Sequence, residues 1–161
     1  MKKSLLLRAV LWPLLLILSA CATPGKVSVT KPVPALNAPT GVALQGYDPV
    51  AYFRDGRPIS GVDAYTYQWR GVQWKFSSPE HQTAFAAEPE RYAPQFGGYC
   101  AYAVSRGTTA DGDPHQWAVV DDKLYVNTNA FAMQLWNQDR SDSIAAAEVN
   151  WPLIPKQTLS P

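Results

Sequence analysis

The first forty residues limit how much of this chain can form a globular domain. Residues 1–8 carry three basic side chains and no acidic one, and an apolar run follows from Ala9 to Ala20. A basic segment before a short apolar run is typical of a secretory signal peptide. The run is shorter than the roughly 20 apolar residues that span a bilayer, and Pro13 interrupts it. We therefore expect residues 1–20 to be a signal peptide.

The signal ends in LSAC, residues 18–21, which places a cysteine directly after small residues. This pattern resembles the lipobox of bacterial lipoproteins. The resemblance implies cleavage before Cys21, attachment of a diacylglyceryl group to its thiol, and acylation of the new N-terminus. Several acyl chains on one residue anchor a protein stably, whereas one chain is marginal. Because Ala22 is not an aspartate, the resemblance also implies transfer to the outer membrane, facing the periplasm. The alternative is an ordinary signal peptide with an incidental cysteine.

Residues 21–40 are predicted to be the lipidated cysteine followed by a proline-rich linker. Four prolines are spaced through this segment without hydrophobic periodicity: Pro24, Pro32, Pro34 and Pro39. Proline-rich linkers are extended at about 3.1 Å per residue, so a linker of this length reaches roughly 60 Å. It would hold a domain clear of the membrane. An alternative is that residues 26–30, KVSVT, add an edge strand to the domain.

The rest of the chain, residues 41–155, has the length of one domain. It contains five of the six tryptophans, which is enough for a sizeable core, and it shows no internal repeat. Removal of residues 1–20 changes the formal net charge from +1 to −2. Binding to nucleic acid or to anionic lipid needs clustered lysine and arginine, and the domain has no such cluster. We expect the lipid anchor to be its contact with the membrane, and no nucleic-acid partner.

Alternating segments predict two β-hairpins. Residues 64–69 and 72–76 flank the short turn Arg70-Gly71, and residues 116–120 and 123–127 flank Asp121-Asp122. Between and after them lie helical segments: 79–87, a short turn at 89–92, 129–139 and 141–151. Strands and helices do not strictly alternate, so we predict an α+β fold, a small single domain with hairpins packed against short helices.

Capping residues set the expected helix boundaries. Ser77 or Ser78 precedes Pro79, which fits the first turn of a helix. Ser141 or Asp142 is expected to cap the last helix. Asp48-Pro49 is interpreted as another helix cap followed by proline at the first helical position. Gly97-Gly98 indicates a turn, because the P-loop pattern and its lysine are missing.

Four motifs in order carry a family resemblance: GYDPVAYF (46–53), WKFSSPEHQTAFAAEPERYAPQFGGYCAYAV (74–104), KLYVN (123–127) and NWP (150–152). Together they resemble the YHS-domain family, and more narrowly its bacterial secreted branch of YHS domain-containing proteins. The resemblance implies a small α+β fold. In the metal-linked branches, such as modules attached to copper-transporting ATPases, it also implies metal binding through cysteine.

The expected metal ligands are changed in this sequence. Metal-linked members of the family have a cysteine directly after the phenylalanine that ends the hairpin, and another four residues later. Ser77 and His81 occupy these two positions. A hydroxyl is a poor ligand for soft metals, whereas thiolate suits Cu(I) and zinc. A rebuilt site would need Cys100 together with His81 and His115, a set that suits copper or zinc. His81 is also compatible with a solvent-facing helix position, and His115 with an exposed loop.

Cys100 has three alternative roles: a metal ligand, a nucleophile, or a buried apolar side chain. A nucleophilic thiol needs a lowered pKa and a nearby base, and the nearest basic residue in sequence is Arg106. With Cys21 lipidated, Cys100 has no disulfide partner, and an exposed free thiol is a hazard in an oxidising compartment. Free cysteine is also among the most buried residue types. We therefore expect Cys100 to be buried.

These observations lead to one expected function and two alternatives. The expected function is that of a membrane-tethered envelope lipoprotein whose YHS-like domain is a non-catalytic binding or accessory module linked to metal handling. The first alternative is a metal-binding protein that uses Cys100 with His81 and His115. The second is a thiol-dependent enzyme at Cys100.

Overall fold

Two antiparallel β-hairpins, each followed by helices, organise residues 34–156, the part of the chain that the computed structural model describes. The predicted α+β class is confirmed. The predicted signal peptide, Cys21 and most of the predicted linker lie outside the described residues. The linker's last residues already pack on the domain, since Leu36 is buried and Asn37 N–H donates to the carbonyl oxygen of Gly97 at 2.8 Å. Domain packing thus begins before residue 41.

The first half of the domain starts with a 3₁₀ turn, Ala43–Gly46, and continues through a short helix, a hairpin and two helices. These elements are α1 (Ala51–Arg54), β1 (Val62–Trp69), β2 (Val72–Phe76), α2 (Pro79–Ala87) and α3 (Pro89–Tyr92). The predicted hairpin and helix are confirmed, and the hairpin turns at Arg70 and Gly71, which both have positive φ.

The second half starts with another 3₁₀ turn, Gln95–Gly98, in which Gly97 and Gly98 have positive φ as a turn requires. It continues through α4 (Ala101–Ser105), β3 (Asp113–Val120), β4 (Lys123–Asn127), α5 (Ala130–Gln138), α6 (Arg140–Asn150) and a last 3₁₀ turn, Trp151–Leu153. The second predicted hairpin is therefore confirmed, but β3 begins earlier than expected and includes His115. This histidine lies on a strand and not in a loop.

Aromatic side chains form the centre of the core in the first half. Phe85 on α2 has no exposed surface, and four aromatic rings surround it with centroid distances of 4.8 to 6.2 Å: Tyr67, Trp69, Trp74 and Phe76. A second cluster holds Tyr125 against Trp136 of α5 at 5.5 Å. Burial of such large side chains contributes most of the apolar stabilisation of a small domain.

Helix capping agrees with the sequence at α2 and differs at α1 and α6. The predicted cap at Asp48-Pro49 is wrong, because α1 begins at Ala51 and its N-cap is Val50. The Ser78 hydroxyl accepts a hydrogen bond from the backbone of His81, so Ser78 is the N-cap of α2. The prediction that Ser141 or Asp142 caps the last helix is wrong. That helix begins at Arg140, and its N-cap, Asp139, makes no side-chain capping bond. The backbone turns directly from α5 into α6 through Asp139, which leaves no room for a separate capping residue.

No helix between residues 34 and 156 combines the length and the apolar character needed to cross a bilayer.

Candidate functional site

A buried carboxylate lies where the first half's turn, hairpin and helix meet. Asp48 follows the first 3₁₀ turn and has no exposed surface. Its Oδ1 accepts a hydrogen bond from the backbone of Val50 at 2.9 Å. Its Oδ2 accepts from the backbone and the hydroxyl of Ser77, at 2.8 and 2.6 Å, and from Nδ1 of His81 at 2.7 Å. These four hydrogen bonds, three of them to Oδ2, replace the water lost on burial.

Local structure explains how Ser77 and His81 reach Asp48. Ser77 directly follows β2, and His81 lies in the first turn of α2, which Ser78 caps. The step from strand to helix therefore turns both side chains to the same point, although they are four residues apart. We call Asp48, Ser77 and His81 the polar cluster.

The polar cluster determines which imidazole nitrogen is available for a ligand. A carboxylate only accepts hydrogen bonds, so Nδ1 of His81 must carry the hydrogen that points at Asp48. In the neutral ring, Nε2 then has the free lone pair. The side chain of His81 is 12% exposed, and its Nε2 lies 3.6 Å from Oδ2 of Asp55, which is 37% exposed. One imidazole nitrogen and one carboxylate thus lie side by side at the rim of the cluster.

Ser77, His81 and Asp48 do not form a nucleophilic triad. In a Ser-His-Asp triad, the serine and the aspartate contact opposite nitrogens of the imidazole, so that the ring can take the serine proton. Here the Ser77 hydroxyl lies 3.3 Å from Nδ1, the same nitrogen that contacts Asp48, and donates to Asp48 itself. Its proton is therefore held by the carboxylate.

Cys100 is buried, as predicted, with 1% of its surface exposed. Its thiol donates to Oδ1 of Asn127 at 3.5 Å and accepts from the backbone of Ala103 at 3.5 Å. Asn127 is fully buried as well, and its amide nitrogen contacts the sulfur of Met133 at 3.3 Å. The thiol is therefore part of the packing at the start of α4.

His115 is exposed, as predicted, and pairs with Tyr47. Its Nε2 lies 2.9 Å from the Tyr47 hydroxyl, and the two rings meet edge to face at 5.0 Å. Its backbone N–H donates to Oδ1 of Asp113 at 2.9 Å. The ring of His115 is thus paired with Tyr47 at the surface.

The three residues predicted as a metal site are not brought together. The Cys100 thiol is hydrogen-bonded to Asn127. The His81 ring contacts two aspartates, and the His115 ring contacts a tyrosine. Within residues 34–156, no group of three or more histidine, cysteine, aspartate or glutamate side chains is arranged to hold a metal ion. The reason is that the ligands lie on different elements, with the thiol turned into the core and His81 turned towards Asp48.

A buried tyrosine lies close enough to Asp48 to feel its charge. Tyr52 on α1 is 2% exposed, and its hydroxyl donates to the carbonyl oxygen of Pro114 at 3.0 Å. Burial raises the pKa of Tyr52, and the neighbouring Tyr47, Asp113 and Asp48 raise it further. The hydrogen bond ties α1, which separates Asp48 from Asp55, to the second hairpin.

A surface groove of about 520 Å³ runs along α2 next to the polar cluster. Its walls include Arg54, Glu80 and Tyr92. Arg54 and Glu80 are the chain neighbours of Asp55 and His81, so the groove adjoins the cluster. None of the three cluster side chains lines it. The Nε2 edge of His81 therefore does not lie at the base of this groove.

Sequence reasoning missed two members of this site. Asp48 is interpreted from the sequence only as a helix cap, and Asp55 is not singled out at all. Ser77 and His81 are singled out only as replaced cysteines. The spacing of Ser77 and His81 at a helix start is a signal that these two side chains meet. No local signal connects them with Asp48, which lies 29 residues before Ser77.

Comparison of the chain with protein-family models, with curated proteins and with solved structures found no match in any of the three.

Proposed function

We propose that this chain is a lipoprotein of the bacterial envelope, anchored through Cys21, whose YHS-like domain is a non-catalytic binding or accessory module. The ligand contacts Nε2 of His81 and the carboxylate of Asp55. The polar cluster orients the imidazole for this contact. The signal-like N-terminus and the lipobox-like LSAC support the anchor, and the outer-membrane location follows from the same resemblance.

One observation carries the binding role: Asp48 is buried and accepts four hydrogen bonds, and its bond to Nδ1 leaves Nε2 of His81 as the free nitrogen beside a second carboxylate. A buried carboxylate is costly to desolvate, and apolar packing of similar volume is often as stable. A cluster of this kind is therefore better explained by the orientation of His81 than by stability. The position of Ser77 on the same nitrogen favours binding over nucleophilic catalysis.

The anchor and the module are tested separately. Mass spectrometry of the protein isolated from membranes should find a chain that begins at a lipid-modified Cys21. Finding an unprocessed N-terminus, or an unmodified thiol at residue 21, would contradict the anchor. For the module, the domain is screened against envelope ligands, copper, zinc, iron and haem by thermal unfolding, because a ligand that binds only the folded state raises the melting temperature. Substrate turnover without any such shift would contradict a non-catalytic module.

Metal handling is the second candidate function, and the contact between Asp48 and His81 favours it. Histidines that bind metal usually donate their other ring N–H to a carboxylate, which fixes the tautomer and the ring orientation. Imidazole suits zinc and copper, and a carboxylate oxygen is also a zinc ligand. His81 and Asp55 would supply two ligands, and water or a partner protein would supply the others. Cys100 has no part in this version of the site.

Zinc should stabilise the wild-type domain through His81. At a zinc concentration of about 100 times Kd, the expected stabilisation is about 2.7 kcal/mol, seen as a higher melting temperature. His81→Ala should lose this response because it removes the nitrogen ligand. His115→Ala is the matched control, since it removes the domain's other histidine, and it should respond like the wild type. An undiminished zinc response in His81→Ala would show that the ligands lie elsewhere.

A further inference from the structure

The two hairpins of the domain are built alike. β1 (Val62–Trp69) matches β3 (Asp113–Val120) in length, and β2 (Val72–Phe76) matches β4 (Lys123–Asn127). The interval along the chain from the start of β1 to the start of β3 equals the interval from β2 to β4. Each pair has its irregularity at the same place, between the first and fifth residues of the longer strand. A register irregularity at the same position in both hairpins is a specific feature, because the register determines which residues pair and which face their side chains occupy.

The helices that follow the hairpins also correspond. α2 (Pro79–Ala87) and α5 (Ala130–Gln138) have the same length, and their starts are separated by the same interval as the strands. In α2 the side chain of Ser78 accepts from the backbone of His81, and in α5 the side chain of Asn129 accepts from the backbone of Ala132. The residue after each helix has nearly the same backbone angles, φ −138° and ψ 62° after α2, φ −132° and ψ 54° after α5.

The turns that precede α1 and α4 correspond as well. Each contains three successive residues with positive φ, at 46°, 53° and 87° in the first and 54°, 63° and 80° in the second. Each ends in Gly-Tyr, at Gly46-Tyr47 and Gly98-Tyr99. The next residue is Asp48 in one turn and Cys100 in the other, and each donates its backbone N–H to the segment before the hairpin, to Ile59 and to Ala110.

A glycine stands directly before each hairpin, and both need to be glycine. A β-carbon at Gly61 would lie 2.5 Å from the backbone of Lys75, and one at Gly112 would lie 2.5 Å from the carbonyl oxygen of Gly98. Non-bonded contacts of a β-carbon are not this short in proteins, so a side chain at either position would clash. The close approach is thus a shared requirement of both halves.

We infer that the domain consists of two copies of one structural unit, and that only the first copy carries the ligand site at His81. The second copy has the same backbone arrangement, but a different side chain at every position that corresponds to that site. The equivalent positions are Cys100 for Asp48 and Arg106 for Asp55. In the same way, Thr128 occupies the position of Ser77, and Ala132 that of His81. The unit therefore folds without an imidazole or a carboxylate at these positions.

The charges indicate which ligand class the first copy takes. Its site has the carboxylates of Asp48 and Asp55 on either side of an imidazole. The second copy has no carboxylate at either equivalent position, and it has the guanidinium of Arg106 where the first has Asp55. A cation is attracted to the first arrangement and repelled by the second. The first copy thus suits a divalent cation, an assignment that rests on the metal-handling form of the proposed function.

The test places the second copy's residues in the first copy. The exchange variant is Asp48→Cys/Ser77→Thr/His81→Ala, and its controls are Asp48→Cys alone and His81→Ala alone. Each single change leaves one side of the contact between Asp48 and His81 without its partner, whereas the exchange removes both sides together. The exchange variant should unfold cooperatively, with a melting temperature above those of both single variants. A melting temperature at or below that of either single variant, or non-cooperative unfolding, would overturn the inference.

The ligand assignment is tested in a separate experiment, with zinc alone as the probe. The wild type should gain melting temperature on addition of zinc, and the exchange variant should not. A zinc response retained in the exchange variant would overturn the placement of the site in the first copy. If the wild type itself does not respond, metal handling fails as a function, while the comparison of melting temperatures still decides whether the domain is a double unit.

Discussion

Replacing Asp48 with alanine is expected to lower the free energy of unfolding by about 3–5 kcal/mol, because it removes a buried carboxylate that accepts four hydrogen bonds. The change leaves buried or half-buried donors on three residues without an acceptor, on Val50, Ser77 and His81. Each unsatisfied buried donor costs about 1–3 kcal/mol before relaxation. The measurement is urea unfolding followed by circular dichroism.

Asp63→Ala is the control for this prediction. Asp63 forms an ion pair with Lys75 at 2.5 Å, but its side chain is 90% exposed. Exposed ion pairs contribute little, because water screens them. The lysine beside Asp63 lowers the pKa of that carboxyl, yet in so exposed a pair this has little bearing on stability. We expect no measurable loss in Asp63→Ala. Equal losses in the two variants would mean that Asp48 does not hold the three elements together.

Replacing Phe85 with alanine should also cost about 3–5 kcal/mol, the range for removing a buried aromatic side chain. The Phe85 ring lies at the centre of four other rings and is fully buried, so its loss leaves a cavity that the surrounding indoles and phenyl ring cannot easily fill. Urea unfolding measures the change. The matched control is Phe131→Ala, because Phe131 is 67% exposed.

The contrast between the two phenylalanines makes this prediction specific. The Phe131 side chain lies mostly outside the core. Its removal should therefore change the free energy of unfolding by no more than about 0.5 kcal/mol. A loss in Phe85→Ala as small as that in Phe131→Ala would contradict the aromatic core around α2.

Local patterns were enough to predict the hairpins and most helices. The alternation in residues 64–76 and the serine-proline start at residue 78 specify β1, β2 and α2 from neighbouring residues alone. The start of α6 could not be predicted in this way. Its position is set by the direct turn through Asp139, where tertiary packing takes the place of a capping side chain.

The polar cluster could be predicted only in part. Ser77 and His81 are close in sequence, so their meeting follows from a helix start. Asp48 joins them through a contact between distant segments, and such contacts leave no trace in a single sequence. The prediction that Cys100 is buried succeeded because it used a general property of free thiols. The proposed ligand set failed to come together because it depended on which way three separate elements turn their side chains.

The duplicated unit escaped sequence reasoning for a clear reason. When residues 62–87 are aligned with residues 113–138, no position carries the same amino acid in both copies. The two copies share backbone features: a glycine before the hairpin, a register irregularity within it, and a polar N-cap after it. Equivalent core positions carry different side chains in the two copies, for example Phe85 in the first and Trp136 in the second. Packing tolerates such exchanges when volume and pattern are retained, so the repeat is visible only in the backbone.

Nitrogen-15 NMR of the histidine side chains during a zinc titration tests most directly whether Asp48 orients His81 for binding. Without zinc, the spectrum should show the hydrogen of His81 on Nδ1 and a free Nε2, and zinc should then shift the Nε2 resonance of His81 while that of His115 stays in place. A hydrogen on Nε2 of His81, or a zinc-induced shift confined to His115, would contradict the proposed binding site at His81.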